Sequence, residues 1–161
     1  MKYLRILPTF SLLIILTAFS HADELRPKLE KIAQKIADTA GAKGLSGATL
    51  AVFPLQTDEK LKKKKVNFAT GELLTYYLLK TGTFKIVERP QLETVMKEQK
   101  LGASGAVDSK TAASIGNLLG AKLLVMGNVL KLGDSYQITV KLVDAETSEM
   151  HESLSESLRQ Y

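Results

Sequence analysis

The sequence predicts an α/β domain of mixed α+β type, with one mixed β-sheet flanked by helices in the order α-β-α-β-α-α-β-β-β. Three observations predict it. Helix-period apolar spacing opens the chain, short apolar runs alternate with helical segments through the middle, and two-residue alternation governs part of the last third. Strands separated by helices pair in parallel, whereas successive strands joined by turns pair antiparallel. One sheet of mixed direction accommodates both.

The domain is preceded by a segment of different character. Lys2 and Arg5 are followed by an apolar core from Phe10 to Phe19, and then by Ser20-His21-Ala22 before Asp23-Glu24. A basic start, a short apolar run and small residues at a cleavage site make up a secretory signal. A spanning helix needs about 20 apolar residues, and this run is roughly half that. The expected division is therefore a signal peptide over 1–22, an amphipathic helix and linker over 23–47, and an α/β domain over 48–161. Removing Lys2 and Arg5 with the signal lowers the formal charge from +5 to +3. The chain contains no cysteine, so it needs no disulfide and offers no site for a lipoprotein anchor. The expectation is a periplasmic protein, peripheral to the outer membrane at most.

The first helix is predicted over 26–40. Leu29, Ile32, Ala33, Ile36, Ala37 and Ala40 form one face, with Pro27 in the first turn. Gly41, Gly44 and Gly47 end it. Leu50 to Leu55 reads as a strand covered on both faces, with Pro54 marking its end. A lysine-rich loop leads to a second helix over 67–80, whose buried side is Phe68, Leu73, Leu74, Tyr77 and Leu78. Thr83 to Glu88 is the next strand. Pro90 opens a third helix over 90–101, ended by Gly102, and a small-residue loop runs to Val107. Asp108 is the expected N-cap of a fourth helix, because its carboxylate can accept free N–H groups of the first turn. That helix places Ala112, Gly116 and Gly120 on one stripe, with Gly120 also closing it. Lys122 to Leu132 is the expected central strand. After Gly133-Asp134, alternating Tyr136, Ile138, Val140 and Leu142 mark a half-exposed strand. Met150 to Leu158, interrupted by Glu152 and Glu156, reads as an edge strand blunted by charge.

Little in this pattern supports catalysis. After the signal, His151 is the only histidine, and with no cysteine a transition-metal site of the usual ligands cannot be assembled. His151 is expected to be an ordinary exposed strand residue. The glycines of Gly116 to Leu123 are spaced wrongly for a phosphate loop and lack its Lys-Ser/Thr pair. The expectation is a non-enzymatic protein with no cofactor, no metal and no nucleic-acid partner. The one unusual cluster is Lys60, Lys62, Lys63, Lys64 and Lys65. These five should repel one another and keep an extended, mobile loop. They are either a solvated loop or an electrostatic contact with an anionic membrane surface or an acidic partner.

Residues Thr83 to Thr147 carry a family resemblance. Phe84-Lys85-Ile86-Val87-Glu88-Arg89 is followed by Lys97-Glu98-Gln99-Lys100-Leu101, and Ser104-Gly105-Ala106-Val107-Asp108 leads to Thr111-Ala112-Ala113-Ser114-Ile115-Gly116. Leu119-Gly120-Ala121-Lys122, Leu124-Val125-Met126-Gly127 and Leu142-Val143-Asp144-Ala145-Glu146-Thr147 complete the pattern. This order resembles the core of the CsgG/FlgO-type superfamily of curli-assembly and flagellar outer-membrane accessory proteins. The resemblance implies a three-layer fold and an assembly or interaction role in flagella or a curli-like secretion system. It also implies an alternative, a periplasmic activator that binds a peptidoglycan synthase. The expected partners are envelope proteins or further copies of the chain, paired through sheet edges. Glu88, Arg89, Glu98, Asp108, Gly116, Gly120 and Gly127 are the family-signature positions and are expected to be structural, with Arg89 bonding carbonyls or a carboxylate such as Glu98. The curli channel inserts membrane-spanning hairpins that this chain has no segments to supply, so pore formation is not expected.

Overall fold

The fold is that of a computed structural model, which describes residues 15–100 and 107–159, with side chains from residue 24 onward. Residues 1–14 of the expected signal peptide and the loop expected from Gly102, as far as Ala106, lie outside the described residues; the third helix, expected over 90–101, ends at Glu98.

Helix α1 (Ile15–Ala42) buries the expected face: Leu29, Ile32, Ala33, Ile36, Ala37 and Ala40 are all within the core. It begins well before residue 26, so Pro27 lies inside the helix rather than in its first turn. The ring nitrogen has no hydrogen to donate, and one helical hydrogen bond is missing there.

Strand β1 (Thr49–Val52) follows and pairs in parallel with β3 (Lys85–Ile86) and β4 (Leu123–Leu132). The run is buried through Leu55 as expected, but the strand ends at Val52, before Pro54. Phe53, Pro54 and Leu55 stay buried while the ladder breaks, and β2 (Gln56–Thr57) then resumes parallel pairing farther along β4. Proline removes a ladder donor without removing the reason to bury its neighbours. The expected strand over Thr83–Glu88 contracts to two paired residues.

The lysine segment is not an extended loop. It forms a short helix, α2 (Glu59–Lys63), whose first turn is closed by Asp58 accepting from the Leu61 N–H at 2.8 Å. Leu61 is buried, and Lys60, Lys62 and Lys63 occupy the last turn, where positive charge suits the helix dipole. A buried apolar side chain and a capped turn outweigh the mutual repulsion of the lysines.

Helices α3 (Val66–Lys80), α4 (Arg89–Glu98) and α5 (Ser109–Leu118) follow. Strands β4, β5 (Ser135–Asp144) and β6 (Met150–Arg159) form an antiparallel meander, giving a six-stranded sheet ordered β3-β1-β4-β5-β6 with β2 beside β4. The mixed sheet and the order of the main elements are those the sequence predicts. Leu29, Ile36, Leu74 and Leu78 of α1 and α3 pack on one face with Val52, Val125 and Val140. On the other face Leu92 and Met96 of α4 and Ala112 and Ile115 of α5 pack with Ala51, Phe53 and Leu124. Helices on both faces make three layers. Strand β6 is an edge of the sheet, and its acids point at α1: Glu156 pairs with Lys31 at 2.7 Å and Glu152 accepts from Thr39 Oγ1 at 2.8 Å.

Candidate interaction site

The helices after β1 and β3 lie on opposite faces of the sheet, so a crevice opens outside the carboxyl ends of these two adjacent strands. In open α/β sheets such a switch point is where ligands bind. A cavity of about 530 Å³ occupies this place. It is lined by Pro54 after β1, Lys62 and Lys65 at the α2–α3 junction, Asn67 and Phe68 of α3, and Arg89, Glu93, Met96 and Lys97 of α4.

Local structure explains the placement. Lys65 adopts the left-handed backbone conformation (φ 57°), which lets α2 end and α3 start with only Lys64 and Lys65 between them. Its N–H donates to the Lys62 carbonyl at 2.8 Å. Arg89 is the first residue of α4, set there because Pro90 tolerates an early helical position. Its Nε donates to Glu93 Oε1 at 3.1 Å, its Nη1 lies 3.2 Å from Glu72 Oε1, and its guanidinium sits 4.8 Å from the centre of the Phe68 ring. Two carboxylates and an aromatic face therefore hold this cation as a fixed wall.

The lining is apolar at its floor and basic at its rim. Pro54 and Met96 are buried, while Phe68 is 45 % exposed, contrary to its expected place on the buried side of the second helix. Lys62, Lys65, Arg89 and Lys97 are set against one lining carboxylate, Glu93. Lys62 reaches Glu59 at 3.2 Å, whereas Lys65 and Lys97 have no acidic partner among the described residues.

Of the residues singled out in the sequence, the cavity brings together Arg89, Lys62 and Lys65. The others serve elsewhere. Glu88 precedes α4 and its carbonyl accepts from the Gln91 and Leu92 N–H groups, but its side chain makes no cap bond. Glu98 is exposed and is not the partner of Arg89, which turns to Glu72 and Glu93 instead. Asp108 caps α5 as expected, accepting from the Thr111 N–H and hydroxyl, both at 2.9 Å, and these bonds hold its carboxyl below the usual range. Gly116 packs against Leu124 and Ala145, Gly120 (φ 65°) closes α5, and Gly127 lies against Thr139 and Leu55. Lys60, Lys63 and Lys64 are exposed and do not line this cavity. The sequence marks Phe68 only as a buried helix residue and Lys97 only as part of the family pattern, and it marks none of Phe68, Asn67, Met96, Lys97 and Glu93 as a site residue. The only signal pointing to them is their position just after two parallel strands whose helices diverge.

His151 departs from expectation. It is the extra residue of an irregularity in the β5–β6 pairing, and its side chain is only 9 % exposed. Both ring nitrogens are buried without a hydrogen-bond partner, with Glu149 Oε1 3.4 Å from Nδ1 and Asp144 Oδ2 4.0 Å from Nε2. Strand alternation could not reveal this, because His151 falls unpaired between the Leu142–Glu152 and Val143–Met150 pairs. Among the described residues no group of His, Asp and Glu side chains is arranged to hold a metal ion, and no helix is long and apolar enough to cross a membrane.

The architecture has solved counterparts. The LpoB C-terminal domain from Escherichia coli matches with a TM-score of 0.66 at 17% identity, covering 84% of this chain and 98% of that one. The LpoB C-terminal domain from Salmonella enterica matches at 0.65 and 19%, covering 82% and 96%. A lipoprotein from Neisseria meningitidis matches at 0.52 and 17%, covering 70% and 80%. At these identities the likeness is one of fold. No curated protein matches the chain closely enough to count as a relative. Residues 51–151, well over half of the sequence, match the family described as curli production assembly/transport component CsgG. On that match the chain belongs to the CsgG family.

Proposed function

We propose that this chain is an exported, non-enzymatic envelope protein that works by binding other envelope proteins, as an assembly or interaction module of flagella or a curli-like secretion system. The family supports the envelope-assembly character. The observation that carries the binding mode is the basic, apolar-floored cavity at the divergence of α3 and α4, which offers anchoring and charge but no nucleophile–base pair.

Export rests on the signal pattern, with cleavage after Ala22. The helix geometry supports that cut. A mature chain starting at Asp23 would place Pro27 near the helix start, where several N–H groups lack helical partners in any case. A periplasmic location follows.

The second reading is a periplasmic activator that binds a peptidoglycan synthase. It is favoured over a pore by the connections of the meander. Strands β4 and β5 are joined by the tight Gly133-Asp134 turn, and β5 and β6 by a turn over Ala145–Glu149, so neither hairpin carries an inserted spanning segment.

Fractionation of the tagged protein, followed by mild crosslinking and mass spectrometry, tests both. Envelope recovery with flagellar or secretion components supports the first reading, and recovery with a synthase supports the second. Cytoplasmic recovery with an intact N-terminus overturns export.

A further inference from the structure

We propose that the cavity between α3 and α4 receives an acidic peptide segment of a partner protein: a short run of carboxylates carrying one apolar side chain. This deepens the binding-module reading and rests on it.

The size of the cavity is the first argument. About 530 Å³ exceeds what a lone inorganic anion fills and falls within the usual range for organic ligands. One large side chain and part of its flanking backbone would occupy it. The walls suit such an anchor, since Met96 is conformationally adaptable, Pro54 is rigid and the Phe68 ring is partly open. Asn67 is nearly buried and supplies both a donor and an acceptor to a passing backbone.

Charge gives the second argument. Arg89 is already engaged by Glu72, Glu93 and Phe68, so it shapes the wall rather than waiting for a ligand. Lys65 and Lys97 stand on different elements and have no acidic partner among the described residues. A segment whose apolar side chain enters the cavity can offer one carboxylate to each lysine. This pairing of a central apolar anchor with a polar rim is the usual anatomy of a protein interface.

A peptide fits better than an anionic bilayer. Glu72 and Glu93 put negative charge beside the cavity, which a dense anionic surface would meet with repulsion while a peptide can avoid it. Phe68 also lies beneath the Arg89 guanidinium instead of projecting as an insertion wedge.

The test uses the full chain and a fluorescein-labelled Asp-Glu-Phe-Asp-Glu peptide, read by fluorescence anisotropy. Saturable binding is expected, weakening about tenfold in Lys65→Gln/Lys97→Gln, the loss expected for two exposed charge pairs. Replacing Phe by Ala in the peptide should weaken binding as well, while Lys60→Gln/Lys63→Gln should bind like the wild type. Equal losses in both lysine pairs, no saturable binding, or retention on phosphatidylglycerol vesicles but not on the peptide overturns the proposal. A Lys65→Gln/Lys97→Gln protein that still captures the wild-type envelope partner in the crosslinking experiment overturns the cavity and leaves the binding-module reading standing. Failure of the wild type to capture any envelope partner overturns that reading itself.

Discussion

Replacing Gly127 by alanine should be far more damaging than the same change at Gly116 or Gly71. A Cβ on Gly127 would lie 2.1 Å from the Thr139 carbonyl oxygen and 3.1 Å from Leu55 Cδ2. Carbon–oxygen contacts between strands normally sit near 3.3 Å or more, so the overlap exceeds about 1 Å. The obstacle is backbone, which no rotamer change can clear. Relief requires β4 to move away from β5, straining ladder hydrogen bonds worth about 1 kcal/mol each, on top of an overpacking cost of about 1–3 kcal/mol. The expected loss is about 3 kcal/mol or more, a fall in Tm of roughly 10 °C for a domain of this size. Two other glycines calibrate the reasoning. At Gly116 the new methyl would meet Leu124 Cδ2 at 2.6 Å, a movable side-chain end, and Ala145 Cβ at 3.3 Å. Gly116→Ala should cost about 1–2 kcal/mol. At Gly71, inside α3, nothing lies within 4 Å, and Gly71→Ala should stabilise by about 0.5–1 kcal/mol. Urea titration of the three variants reads the order directly. A Gly127→Ala protein within 1 kcal/mol of the wild type, or less damaged than Gly116→Ala, refutes the argument.

Arg89→Ala removes two ion pairs and the contact with Phe68, and should cost about 1–2 kcal/mol; an unchanged Tm with binding abolished would show that Arg89 serves the ligand and not the fold. Asp144 accepts from the Thr147 and Glu146 N–H groups, both at 2.9 Å, and these bonds, the one from Thr147 foremost, hold its carboxyl below the ordinary 3.8. Its contribution is present at neutral pH, above the unfolded value, and is lost as pH falls through the lowered folded value. The stability gap between wild type and Asp144→Ala, about 1–3 kcal/mol at pH 7, should therefore narrow as pH drops below about 4, and a pH series of Tm values checks it. N-terminal sequencing of the exported protein should begin at Asp23, and a start at Met1 removes the signal-peptide argument.

Much of the fold was legible because burial imposes a period. The α1 face from Leu29 to Ala40, the alternation along β5 and the Asp108 cap follow from spacing and side-chain chemistry that any neighbour would respect. The misreadings share another cause. Whether strand pairing resumes beyond Pro54 depends on β4 lying alongside Gln56 and Thr57. Whether the lysine segment is a loop depends on a pocket waiting for Leu61. The His151 environment depends on a register shift against Leu142, and the partners of Arg89 depend on how α3 and α4 cross. None of these is encoded within a window of ten residues. The cavity was half visible for the same reason: its cations stood out as a cluster and a motif, while its floor comes from residues that look like ordinary core until the two helices diverge.

The docking of α1 against β6 joins the first described element to the last, with Lys31 bonded to Glu156 and the Lys28 ammonium to the Ser157 carbonyl. A chain made or threaded from its N-terminus holds the apolar face of α1 ready long before the surface it must cover exists. Contacts of such long sequence separation form late. The helix waits while the intervening elements assemble, and the α1 face stays uncovered until β6 arrives. Docking of α1 is thereby tied to the arrival of β6, and loss of that strand would release a helix more than a hundred residues away.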